Sequence, residues 1–336
     1  MGFLSEMPDI TFNRPLFCSI LANTLLSTVP GISGAGPTPE KTLLTPVLDA
    51  ELVTRGAITS SPVKPNTPTG CPTPASITRA MMTLLKMQPL FINAGLRFPP
   101  TVPCLDVYGD VGGDPRKGLA VPNADALFRS GEQIGRFLSD RCDLLVLGEC
   151  VPGGTTTALC VLRALGYEAS VSSSFVQNPV GIKEEIARDV LARIRGDKIH
   201  EPMDVMKYAG DPMMPVAAGI AETYSGELFL AGGTQMLAVA ALINRMGGNP
   251  PRVVTTRYVR DDPSANAGDL ARQIGVKIFY VDPEFELLGH PGLARYCIGE
   301  VKEGMGAGGA MFLAHLSGHP PEEIRNEILT TVNGYS

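Results

Sequence analysis

From about residue 130 onward, short apolar runs alternate with longer stretches whose apolar residues recur at helical spacing. A four-to-eight-residue apolar run bounded by turn residues reads as a buried strand, and a three-to-four spacing reads as an amphipathic helix. On that basis "SGEQIGRFLSD" (130–140) is a helix, "DLLVLG" (143–148) a strand and residues 155–165 a helix, with a short strand near "YEASVS" (167–172). Helices "GIKEEIARDVLARI" (181–194) and "PMMPVAAGIAETY" (212–224) follow. Then come strand "GELFLA" (226–231), helix "TQMLAVAALINRM" (234–246), strand "PRVVTT" (251–256), helix "ANAGDLARQIG" (265–275) and strand "VKIFYV" (276–281). Helices at 306–316 and 320–332 close the chain. Strands joined through helices require crossover connections, so the pattern predicts an α/β fold. The expected architecture is three-layered and Rossmann-like, a mostly parallel sheet with helices on both faces.

The beginning of the chain is different. "PGISGAGPTPEKTLLTP" (30–46) and "SPVKPNTPTGCPTPAS" (61–76) are loops with turn punctuation, interrupted by apolar residues. Residues 1–75 are therefore expected to be an irregular N-terminal segment contributing to a small subdomain, and 76–336 the α/β domain. The early stretch "LFCSILANTLLSTVPG" (16–31) reads as strand plus helix rather than as a leader, because it follows Glu6 and Asp9 and polar residues break it. Helix "ITRAMMTLLKM" (77–87) and strand "PLFINAG" (89–95) lead into the regular region.

Hydrophobic residues make up 44% of the 336, enough for a substantial core. No apolar run approaches the ~18 residues of a membrane helix. A net charge of −6 argues against nucleic acid or a membrane surface as partner. Seven cysteines without a C-x-x-C pair suggest reduced thiols and a cytoplasmic location. The four histidines have no metal-ligand spacing, so no metal site is expected.

Ligands of parallel sheets bind at the carboxyl ends of strands. Two such ends carry glycines, "GECVPGGTTT" (148–157) and "LAGGT" (230–234), which suggests one crevice lined by both. Gly153 and Gly154, followed by Thr155 and Thr156 at a helix start, suit a phosphate: amides point at it, hydroxyls donate, and glycine permits close approach. Gly232 and Gly233 are candidates of the same kind. Gly304-x-Gly306-x-x-Gly309 matches the dinucleotide fingerprint only formally, since charged "IGEVKE" precedes it and the later acidic residue is missing. "VRDDPSAN" (259–266) reads as an exposed turn rather than as a pyrophosphate–Mg²⁺ motif.

With these motifs the chain resembles the nicotinate-nucleotide–dimethylbenzimidazole phosphoribosyltransferase family over roughly residues 77–318. The family pattern GEMGIGNTT is similar to "GECVPGGTT" at 148–156, with Val151, Pro152 and Gly154 as departures, and GEGTGA is similar to "KEGMGAGGA" at 302–310. The resemblance, to a divergent branch, implies transfer of 5-phosphoribose from nicotinate mononucleotide to a benzimidazole-type base, a step that activates the lower ligand of cobamides. It implies no metal or other cofactor, because a neutral ring leaves rather than pyrophosphate. It implies Glu303 as general base, with Gly304 and Gly306 leaving room for a flat ring. Glu149 is expected to orient ribose or a loop, and Lys183 to contact phosphate. Ser174 and Asn178, by position, are expected at the same mouth. A homodimer is implied, its N-terminal segments helping to close the partner's site. The alternatives are another donor or aromatic acceptor on the same fold, or a nucleotide-binding protein without catalysis.

Overall fold

The computed structural model describes residues 2–335. Its seven strands are β1 (Pro15–Ala22), β2 (Leu90–Gly95), β3 (Leu105–Asp106), β4 (Leu144–Cys150), β5 (Glu227–Ala231), β6 (Arg252–Thr256) and β7 (Ile278–Val281). They form one sheet in the order β3-β2-β1-β4-β5-β6-β7, and every neighbouring pair is parallel. The helices are α1 (Thr45–Arg55), α2 (Ala75–Leu84), α3 (Ala124–Ser139), α4 (Gly154–Ala164), α5 (Val180–Gly196), α6 (Pro202–Ala209), α7 (Met213–Thr223), α8 (Thr234–Arg245), α9 (Arg257–Arg260), α10 (Ala267–Ile274), α11 (Pro291–Cys297), α12 (Ala307–Leu316) and α13 (Pro321–Tyr335).

The central strands are largely apolar because both their faces are covered, whereas the two-residue edge strand β3 is exposed. Successive side chains point to opposite faces, and the core divides accordingly. Cys18, Leu145, Leu147, Leu228, Leu230 and Val253 face a layer that includes α3, α4, α5, α7, α8 and α10. Phe17, Leu144, Val146, Phe229, Val254 and Phe279 face the other layer, built on α1, α2, α12 and α13. This is the three-layer parallel α/β arrangement expected. Among the described residues no helix is long and apolar enough to cross a membrane.

The strand expected at the start of 16–31 forms as β1, and it lies within the sheet between β2 and β4. Two local expectations need correction. The helix expected after β1 is a short 3₁₀ turn, Leu25–Thr28. No strand forms at 167–172. Both edges of β4 are already taken by β1 and β5. Side chains hold the 167–172 backbone instead: Gln273 Oε1 accepts from Glu168 N, Asn266 Oδ1 from Ser170 N, and Arg163 donates to Ala169 O.

The strand order reverses between β1 and β4, and a crevice opens at carboxyl ends near such a switch point. β4 runs into the glycine turn at 151–153 and then α4, while β5 runs through Gly232–Gly233 into α8.

Candidate functional site

A cleft opens above the ends of β4 and β5. Its floor is Glu149–Gly153, Thr155 and Gly233–Gln235; one wall is Ser172–Ser174 and Val301–Met305; the remaining side comes from Ile32, Ser33, Ala35, Thr45, Asp49, Thr67, Thr73 and Pro74. The N-terminal quarter thus lines its own chain's cleft.

The glycine turn is shaped by its surroundings. Gly153 caps α4 at φ +83°, the left-handed region, and a Cβ there would stand 3.0 Å from Ser27 Cα. At Gly154 a Cβ would lie 2.3 Å from Gln235 Nε2. That space lets Gln235 donate to Glu149 Oε2 at 2.7 Å, tying α8 to the end of β4.

Cations gather beside the first turn of α4. Lys183 is fully buried, and its Nζ donates to Thr155 Oγ1 at 3.1 Å and to Ser172 O at 2.6 Å. Burial, with repulsion from Lys302, pushes the Lys183 amine down to about 7. Lys302 is also buried, donates to Ser173 O and Phe175 O, and pairs with Asp262 at 3.3 Å. The Thr234 hydroxyl, on the cleft floor at the start of α8, is buried with no hydrogen-bond partner among the described residues. An anion in the cleft would meet the Lys302 side chain, the Thr155 hydroxyl that Lys183 backs, and a helix start, which together attract negative charge.

Carboxyl groups occupy other parts of the cleft. Glu303 accepts from Gly304 N at 3.2 Å and Gly308 N at 3.1 Å, with Thr255 Oγ1 at 3.4 Å. Burial outweighs these bonds and raises its carboxyl to about 7. Glu149 accepts from Val151 N and Gln235 Nε2 through one oxygen. Burial, then the nearby Asp211 and Glu303, raises it to about 8. A group titrating near 7 can accept and return a proton at neutral pH. Strained backbone flanks Glu303, since Val301, Lys302 and Met305 all have positive φ. Such strain is held in place by packing and is often found at functional sites.

The structure brings Glu149, Gly153, Thr155, Ser174, Gly233, Glu303 and Gly304 to the cleft surface. Lys183 reaches it through its bond to Thr155. Gly154, Thr156, Gly232 and Gly306 lie behind that surface. Gly154 and Gly232 leave room around Gln235 and Glu149, Thr156 is fully buried, and Gly306 abuts Gly148 and Phe17. Asn178 stands apart from the cleft, donating to Val171 O and Ser264 Oγ. The turn at 259–266 is only partly exposed: Asp262 is buried, holding Ser172, Ser264 and Lys302. Sequence reasoning missed Asp49, Thr234, Gln235 and Lys302. A cue existed for Lys302 alone, which adjoins Glu303. The formal fingerprint at 304–309 follows α11 and a loop, not a strand.

No protein-family model matches the chain. A UPF0284 protein of Methanosarcina acetivorans is 40% identical over 333 residues, covering 96% of this chain and 95% of that protein. A UPF0284 protein of Thermococcus onnurineus is 42% identical over 321 residues, covering 94% and 96%. Among solved structures, the nicotinate-nucleotide-dimethylbenzimidazole phosphoribosyltransferase of Thermus thermophilus superposes with a TM-score of 0.62 at 18% identity, covering 95% of this chain and 83% of that one. The last likeness establishes a shared fold, and the first two establish the family: this chain belongs to the UPF0284 proteins.

Proposed function

We propose that the protein transfers 5-phosphoribose from nicotinate mononucleotide to a benzimidazole-type base, forming an α-ribazole phosphate for cobamide lower-ligand activation. The observation that carries this reading is the placement of Glu303. A carboxyl raised to about 7 shares one cleft with Thr155, whose hydroxyl is backed by the buried Lys183 amine. The fold shared with a phosphoribosyltransferase of nicotinate nucleotide supports it.

The residues divide the work as follows. Lys183, Lys302, Thr155 and the start of α4 hold the 5′-phosphate. Glu149, protonated at neutral pH by its raised pKa, offers a hydrogen bond to the ribose. Gly304 lines the cleft beside Glu303 with Pro74 packed against it, so an acceptor ring there would lie against backbone and proline rather than against a side chain. The acceptor nitrogen attacks C1′, the bond from C1′ to the pyridinium nitrogen breaks, and its electron pair leaves with the pyridine ring of nicotinate, which thereby loses its positive charge. The acceptor's N–H proton passes to Glu303. A single displacement inverts C1′, which makes the product an α-nucleotide.

Incubation of the purified protein with nicotinate mononucleotide and 5,6-dimethylbenzimidazole tests the reading. Base-dependent release of nicotinate supports it, and a donor that stays intact through prolonged incubation with stoichiometric protein refutes it.

A further inference from the structure

The acceptor end of the cleft contains a second carboxyl that the proposed chemistry does not use. Asp49, on α1, is buried and lines the cleft beside Cys150 and Thr73. Thr73 precedes Pro74, which packs on Gly304, so Asp49 belongs to the same end as Glu303. Among the described residues Asp49 accepts from Thr73 Oγ1 at 2.8 Å and from Cys150 Sγ at 3.5 Å, and from nothing else. A carboxylate offers about four acceptor positions, so this group is underfilled.

Glu51, two residues on, shows what a purely structural carboxylate looks like in this helix. It accepts from Arg55, from Thr59 N and Oγ1, and from Ser60 N and Oγ, and it does not line the cleft. A buried polar group with spare capacity, in a cavity wall, is satisfied by what enters the cavity. An all-carbon ring edge would leave it unfilled; a ring bearing a donor would fill it.

We propose that Asp49 selects an acceptor base carrying a second hydrogen-bond donor, a ring amino or hydroxyl group, besides the N–H taken by Glu303. This rests on the phosphoribosyl-transfer reading for the identity of the cleft's ligand, and goes beyond it in naming the substrate class. Burial raises the Asp49 carboxyl to about 7. In either protonation state one oxygen still accepts, and at pH 8 both do.

Equilibrium binding to the full chain at pH 8, with nicotinate mononucleotide present, compares three bases of nearly equal size: 5-amino-, 5-hydroxy- and 5-methylbenzimidazole. The amino and hydroxy bases should bind at least about tenfold more tightly than the methyl base, the size expected when a buried polar group loses its partner. Asp49→Leu should erase that ratio. A methyl base that binds as tightly as the others to the wild-type protein, or no binding of any base, overturns the proposal, and neither result depends on the variant folding. A ratio that persists in folded Asp49→Leu overturns it as well. Preserved selectivity without nicotinate release upholds the Asp49 assignment while refuting phosphoribosyl transfer, so the two failures are distinct.

Discussion

Replacing Glu303 with Gln separates catalysis from architecture at the residue on which the mechanism turns. The amide keeps the shape and can still accept from Gly308 N, but it cannot take the acceptor's proton. A positioned general base contributes about 10²–10⁴-fold, or roughly 3–5 kcal/mol of barrier, so turnover should fall by that factor while donor binding persists. Stability should move the other way. The folded carboxyl titrates at about 7 against an ordinary 4.5. A raised pKa favours the protonated folded state, so its contribution is complete below pH 4.5 and is lost as pH climbs through 7. That shift corresponds to about 1–3 kcal/mol after allowance for solvent on the cleft side. Glutamine never ionises and escapes the loss. Glu303→Gln should therefore melt at the same or a higher temperature than wild type at pH 8, with the difference vanishing near pH 4. Single-turnover nicotinate release and thermal unfolding on one preparation measure both. Near-wild-type turnover with a lowered melting temperature would mean that Glu303 only caps α12, and would refute the reasoning.

Lys183→Met should weaken nicotinate mononucleotide at least about tenfold while leaving the unphosphorylated riboside unaffected, as read by calorimetry; equal losses for both ligands would remove Lys183 from the phosphate site. Because Lys183 loses its charge and Glu303 gains one near pH 7, kcat/KM should follow a bell centred near neutrality, and a flat profile from pH 5.5 to 8.5 would contradict both assignments. Gly154→Ala should displace Gln235 from Glu149 and lower unfolding stability by about 1–3 kcal/mol, with an unchanged melting temperature as the contrary result. The homodimer implied by the resemblance predicts twice the 35.6 kDa chain mass in sedimentation at micromolar concentration; a monomer there would overturn it.

The sheet was readable because strands covered on both faces leave uninterrupted apolar runs, as in "LLVL" at 144–147. The glycine turn was readable too, since Gly153 meets a backbone requirement no other residue meets easily. Lysine burial was not. On a helix's first turn Lys183 reads as solvated, and only the tertiary placement of Ser172 and Thr155 gives its amine partners. Asp49 was hidden for a related reason: it lies in a Pro-rich quarter with no motif, and its role depends on a distant neighbour, Cys150. The strand expected at 167–172 failed because local alternation says nothing about whether a sheet edge is free. Asn178 was assigned by nearness in sequence to Ser174, but the chain turns between them and its side chain binds Ser264 instead.

The central claim is that this cleft moves a phosphoribosyl group between two flat nitrogen rings. Nicotinate mononucleotide labelled with ¹³C at C1′, mixed with the protein and a benzimidazole, tests it by NMR. The account predicts that the C1′ signal moves, at the rate of nicotinate release, to that of an α-linked benzimidazole nucleotide, and that Glu303→Gln nearly abolishes the change. A signal that stays on the donor, or passes to free ribose 5-phosphate whether or not a base is present, would contradict it.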